Sequence, residues 1–241
     1  MNSEKIILEA NDISVSFRMY DKGLSKYDLT VIKKLNVKIH EGEILAIVGA
    51  SGSGKSVLAH AVLGILPSNA TVSGEIRYCN EPFTDNLRRQ KVGSEIIMIP
   101  QSVTYLDPLM KAGKQVRGLK GIREQLEEAF RRYWLDKSAE KKYPFQLSGG
   151  MARRVLISTA MISDAKLILA DEPTPGLSED MADETMRHFR ELADKGCGIL
   201  MITHDIETAL KAADTIAPPT KPCRQYLLKI KFLCVFLLTI R

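Results

Sequence analysis

Ile44-Leu45-Ala46-Ile47-Val48-Gly49-Ala50-Ser51-Gly52-Ser53-Gly54-Lys55-Ser56 is the stretch that decides the fold class. Its apolar start has no polar interruption, as expected of a strand buried on both faces in a parallel sheet. The residues from Gly49 onward fit G-x-x-x-x-G-K-[ST] in the context that gives the pattern its meaning, after a strand and before a helix. The glycines let backbone N–H groups converge on phosphate oxygens, and the helix start adds a partial positive charge. Lys55 is then placed to reach the β and γ phosphates of a nucleotide, and Ser56 to ligate Mg2+. The helix is expected to run from Lys55 to Leu66 and to stop at Pro67.

Upstream, Ile6 to Ala10, Ile13 to Phe17, Val31-Ile32 and Leu35 to Ile39 alternate apolar and polar residues between turn signals, the pattern of antiparallel strands. Downstream, the interval from about 86 to 164 reads as a helical insert. Ile122, Leu126, Phe130 and Trp134 recur there at four-residue spacing among charged neighbours, and Phe130 and Trp134 are expected to pack in the core. Leu167 to Ala170 and Ile199 to Ile202 are two further apolar runs that suit parallel core strands, so their last residues should line the carboxyl edge of the sheet.

The chain has 241 residues, 45% of them hydrophobic and 26% charged, the composition of an ordinary globular domain. A net charge of +5 carried by dispersed basic residues gives no nucleic-acid footprint. Cys79, Cys197, Cys223 and Cys234 lack C-x-x-C spacing, which argues against a zinc site or redox pair and suits reduced thiols. No secretory signal is visible at Met1 to Ile6. Tyr226 to Ile240 is apolar but carries Lys229 and Lys231, and it falls short of the ~20 residues a spanning helix needs.

Asp171-Glu172 closes the apolar run from Leu167, putting adjacent acids at a strand tip within reach of the phosphates. Asp171 would hold Mg2+ directly or through water, and Glu172 would orient or deprotonate the attacking water. Ser148-Gly149-Gly150 precedes a helix through Val155-Leu156-Ile157. Ser148 caps it and the glycines leave its amides open to an anion. Alone, that element reads equally well as an ordinary helix start.

Taken in order, the phosphate loop, Leu147-Ser148-Gly149-Gly150-Met151 and Asp171-Glu172 resemble the ATP-binding cassette of ABC transporters over roughly residues 4 to 217. The resemblance implies an α/β fold: a P-loop NTPase core, an N-terminal antiparallel β subdomain and an inserted α-helical subdomain. It implies ATP and Mg2+ as ligands and a head-to-tail dimer, homo- or heteromeric, in which the signature segment of one subunit closes over ATP on the other. It also identifies Gln101 with the glutamine that contacts Mg2+ or water and senses the membrane subunit, His204 with the histidine that contacts the γ-phosphate, and Phe17 with the aromatic that stacks on adenine, a role Tyr20 could also fill. His40, His60 and His188 match no motif.

Met151, Asp171 to Leu177, Val72 to Ile76 and Asp107-Pro108-Leu109 are similar to the importers of oligopeptides, dipeptides or nickel. The function this implies is ATP hydrolysis at the cytoplasmic face of the cell membrane, peripheral to permease subunits that are fed by an extracytoplasmic binding protein. An impaired or non-transport nucleotide-binding module is the rival reading. Two departures from the family pattern favour the rival: Ser178 stands where an aspartate is usual, and Pro218 to Arg241 does not continue the cassette. A reading-frame change or truncation is the expected origin of that tail.

Overall fold

The computed structural model describes residues 5–21, 25–50, 52–118, 122–217 and 228–229. In chain order its elements are β1 (Ile6–Tyr20), β2 (Lys26–His40), β3 (Ile44–Val48), α1 (Lys55–Leu63), β4 (Ala70–Tyr78), β5 (Glu81–Pro82), α2 (Asp85–Lys91) and β6 (Ile96–Ile99). They continue with α3 (Ala112–Arg117), α4 (Arg123–Arg132), α5 (Gly149–Met161), β7 (Leu167–Asp171), α6 (Glu179–Asp194), β8 (Gly198–Thr203), α7 (Ile206–Ala212), β9 (Thr215–Ala217) and β10 (Leu228–Lys229).

Two sheets result. The antiparallel one runs β2-β1-β4-β5, and the other runs β10-β9-β3-β8-β7-β6, parallel throughout except for the β10 edge. Apolar runs without alternation form the parallel strands because both faces of that sheet are covered. Ile44 and Ala46 of β3, Ile168 and Ala170 of β7, and Ile199 and Met201 of β8 join a core shared with α3 to α7. Their neighbours Leu45, Ile47, Leu167, Leu169, Leu200 and Ile202 point the opposite way, into a core shared with α1 and the antiparallel sheet. Successive Cβ atoms alternate across a strand, so each run feeds two cores at once.

Three expectations need correction. The helix after the phosphate loop ends at Leu63 because Gly64 adopts a left-handed backbone at φ 71° and donates to the carbonyls of His60 and Ala61, a glycine stop that comes before Pro67 is reached. The interval 86 to 164 is not helical throughout. Ile96–Ile99 pairs in parallel with Leu167–Ala170 and extends the core sheet, too short a run to show its period in sequence. Leu126 and Phe130 are buried, whereas Trp134 is 58% exposed. Helix α4 ends at Arg132, and Trp134 turns away at φ 46°, so the four-residue spacing carries on past the helix that gave it meaning. The tail beyond Ala217 lies outside the described residues except for Leu228–Lys229.

Helix α4 is tied to α6 by charge. Arg132 donates to Glu184 and, through two nitrogens, to both oxygens of Glu191. Beside this pair the Tyr133 hydroxyl lies 2.9 Å from His188 Nδ1. Burial, with Arg132 adding to it, pushes the His188 pKa from 6.5 down to about 4. As pH falls from 6.5 to 4 the unfolded chain takes up a proton that the folded chain refuses, so stability drops through that window. Glu95 adds a second window. Lys166 and Lys91 hold its pKa at about 2, and that stabilisation is lost as pH falls from 4.5 toward 2. Thermal unfolding should therefore show a decline below pH 6.5 that His188→Gln flattens. A His188→Gln profile as steep as the parent's would remove this assignment.

Candidate functional site

The phosphate loop, Gln101, Asp171, Glu172 and His204 come together at the carboxyl edge of the parallel sheet, whereas Phe17 lies on β1 of the antiparallel sheet and Ser148 caps α5. The loop from Gly49 to Gly54 leaves β3, Asp171 ends β7, Glu172 follows it, and His204 follows β8. Gln101 comes two residues after β6. Ligands of open α/β sheets bind at this edge. Gly49 is held there by its N–H, which donates to the Thr203 carbonyl at 3.4 Å.

Within the loop, Gly54 is the N-cap of α1 at φ 84°, and no side chain caps the helix or places an acid in its first turn. The first amides of α1 are thus left for an external acceptor. The Lys55 ammonium is buried and donates to the carbonyls of Gly49 at 2.6 Å and Ala50 at 2.8 Å, which fixes the curvature of the loop. Ser51 lies outside the described residues. A Cβ on Gly54 would stand 2.5 Å from Val31 Cγ1 as well as in a left-handed backbone. Gly54→Ala should therefore cost about 1–2 kcal/mol in backbone energy and about 1–3 kcal/mol in overpacking. Differential scanning should show a fall of several degrees in Tm, since about 2–4 °C accompanies each kcal/mol at this size.

Asp171 and Glu172 are both buried. The Asp171 carboxyl is pushed above the usual carboxylate range, chiefly by burial, with the Ser56 hydroxyl opposing the shift. Glu172 takes an unusual backbone for a non-glycine residue, φ 49°, pinned by its N–H donating to the Ile202 carbonyl at 2.8 Å. Strain of that kind persists where surrounding structure enforces it. Its Oε1 lies 2.9 Å from His204 Nδ1. The imidazole is 60% exposed and the carboxylate 8%, so the pair runs from the interior outward. Asp171 Oδ1 and Glu172 Oε2 are buried without any hydrogen-bond partner. Buried carboxylate oxygens are ordinarily satisfied, and a hard cation with its water shell is the chemistry such oxygens take. Ser56 and Asp171 therefore fit Mg2+. Among the described residues no group of three or more His, Cys, Asp or Glu forms a metal cluster, and Mg2+ needs no such all-protein cage because it retains waters and phosphate oxygens as ligands.

Ser148 caps α5, its Oγ accepting from the Met151 N–H at 3.3 Å. A Cβ on Gly149 would meet nothing within 4 Å, so packing within the chain does not require a glycine there. Phe17 is half-buried in β1, between Leu29 and Ala70 on the neighbouring strands, while Tyr20 is exposed with the Lys26 ammonium 5.3 Å from its ring centre. Ser178 is the N-cap of α6 but makes no capping hydrogen bond through its side chain. Arg153 belongs to no motif visible in the sequence. It lies on α5, is 4% exposed, and donates to the carbonyls of Pro100, Gln101 and Glu172.

Residues 32–175 match the family model described as ABC transporter. The oligopeptide transport ATP-binding protein OppD of Lactococcus lactis subsp. cremoris is 36% identical over 234 residues, which cover 90% of this chain and 68% of that protein. The dipeptide transport ATP-binding protein DppD of Haemophilus influenzae is 32% identical over 227 residues, covering 87% of this chain and 67% of its own. Among solved structures, the dimeric post-hydrolysis state of the ATP-binding cassette MJ0796 bound to ADP and Pi superposes with a TM-score of 0.78 over 93% of this chain and 99% of that one, at 24% identity. The fold is thus that of an ATP-binding cassette, and the chain spans about two thirds of the length of its peptide-transport relatives. With its phosphate loop, signature segment and acidic strand end all inside the matched span, the chain belongs to the ABC transporter family, among its ATPase cassettes.

Proposed function

We propose that this chain binds ATP with Mg2+ at the loop Gly49 to Ser56, hydrolyses it, and does so as one half of a head-to-tail pair beneath the permease of a peptide importer. The observation that carries the reading is the pair of buried, unpartnered oxygens, Asp171 Oδ1 and Glu172 Oε2, at the end of β7. Ser56, Asp171 and Gln101 would hold Mg2+, which when bound neutralises charge developing on the transferred phosphoryl group. The backbone of Gly49, Ala50, Ser51, Gly52, Ser53 and Gly54 cradles the phosphates, and Lys55 neutralises them. Glu172 orients or deprotonates the attacking water, while His204 fixes that carboxylate and contacts the γ-phosphate.

Phe17 stacks on the adenine, with Tyr20 the alternative. Ser148, Gly149 and Gly150 of a second cassette, identical or related, close over the triphosphate. Peptide cargo is favoured over nickel because the relatives described above are peptide-transport subunits. A peripheral place at the cytoplasmic membrane face follows from that assembly, with an extracytoplasmic binding protein acting indirectly through the permease. No described helix is long and apolar enough to cross a membrane. Coexpression with the membrane subunits that copurify with the chain, followed by uptake of labelled oligopeptide, dipeptide and Ni2+, tests the cargo. Uptake of peptide that requires intact Lys55 supports the reading, and uptake of Ni2+ alone contradicts it.

A further inference from the structure

Arg153 is a buried cation that the scheme above leaves without a task. A guanidinium persists in such surroundings where most of its donors are engaged, and among the described residues no carboxylate pairs with it directly. Nη1 donates to the carbonyl of Pro100 at 2.7 Å and to that of Gln101 at 2.9 Å. Nη2 donates to the carbonyl of Glu172, and Nε has no partner. All three acceptors belong to the chain just beyond the carboxyl ends of two adjacent strands, β6 and β7, whose pairing stops at Ile99 and Ala170. Past that point no ladder bond between these two strands holds Gln101 against Glu172. The fork of Arg153, reaching in from the first turns of the helix that Ser148 caps, supplies the missing link.

We propose that Arg153 is a positioning residue for ATP hydrolysis, fixing the backbone that carries Gln101 against the backbone that carries Glu172. The proposal rests on the hydrolytic reading of the site, because its kinetic effect is exerted through those two side chains. A planar fork with donors on separate nitrogens holds two strand ends at once, whereas an ammonium is a single point of attachment. Displacing a catalytic group by about 1 Å costs on the order of 100-fold in rate. Arg153→Gln should accordingly lower turnover by about 10- to 100-fold and leave the KM for ATP within about 3-fold. Arg153→Lys should recover only part of that loss.

The deciding measurement is a double-mutant cycle on the full chain with Gln101→Ala, using Arg153→Gln, or Arg153→Lys if the glutamine variant does not fold. Residues acting through one another are not additive, so adding the Arg153 change to Gln101→Ala should cost clearly less than it costs the parent. A full multiplicative loss in the double variant, or an Arg153 single variant within about 2-fold of parental turnover, overturns the proposal. If the parent itself hydrolyses no ATP, the hydrolytic reading fails, and hydrogen exchange then tests the link alone. The amides of 102–106 and those of Thr174, Gly176 and Leu177 should exchange faster together in either Arg153 variant while 44–48 is unchanged, and unchanged exchange in either group refutes the link.

Discussion

Lys55→Ala should weaken ATP binding by a factor of about 100 or more. Charge-assisted hydrogen bonds contribute roughly 1.5–3 kcal/mol each, and losing two of them to phosphate oxygens removes about 3–6 kcal/mol, with about 1.4 kcal/mol for every tenfold. The same ammonium holds the loop through the carbonyls of Gly49 and Ala50, so thermal unfolding has to be followed alongside. Removing those bonds, charge-assisted as well, costs about 1.5–3 kcal/mol each but leaves the apolar sheet core intact. Calorimetric titration of Mg-ATP into the folded variant is the test, and an affinity within about threefold of the parent would take the phosphate cradle out of the account.

Glu172→Gln should cut turnover by about 10²- to 10⁴-fold, the usual contribution of a positioned general base, without weakening ATP binding. The amide matches the carboxylate in shape and can still hydrogen-bond to His204, which lies 2.9 Å from Oε1, so the strained turn at φ 49° is preserved. Single-turnover and steady-state assays should fall together, because the chemical step is the one impaired. Unchanged hydrolysis would mean that another group handles the water.

The contrast between what the chain reveals in sequence and what it does not has local causes. Ile44 to Val48, Leu167 to Ala170 and Ile199 to Ile202 are legible because a strand buried on both faces has no reason to alternate. The turn that follows β3 is legible because few residue types tolerate it. Gly64 outcompetes Pro67 as a helix stop, since a left-handed glycine ends a helix as surely as a proline does. Trp134 continues a spacing whose helix has already ended.

At the site, Lys55 is conspicuous because it follows a glycine turn and Asp171-Glu172 because the pair closes an apolar run, whereas His204 is legible only through the family resemblance. The left-handed backbone at Glu172 is not legible. The following Pro173 closes right-handed helical conformations to it and points to an extended chain, whereas the bond from its N–H to the Ile202 carbonyl imposes the other choice. Arg153 sends no signal at all. An arginine near a helix start reads as solvated, and only the meeting of two strand ends distant in sequence buries it.

Hydrolysis as proposed requires ATP to be held between two cassettes, with Lys55 on one and Ser148 on the other. Sedimentation of the Glu172→Gln chain with and without Mg-ATP tests that most directly, with bound nucleotide quantified in each species. The expected result is a monomer without ATP and a dimer carrying two ATP molecules with it, reverting to an ATP-bound monomer when Ser148→Arg is added. A chain that binds ATP yet remains monomeric at every concentration, or a dimer indifferent to Ser148→Arg, would contradict it.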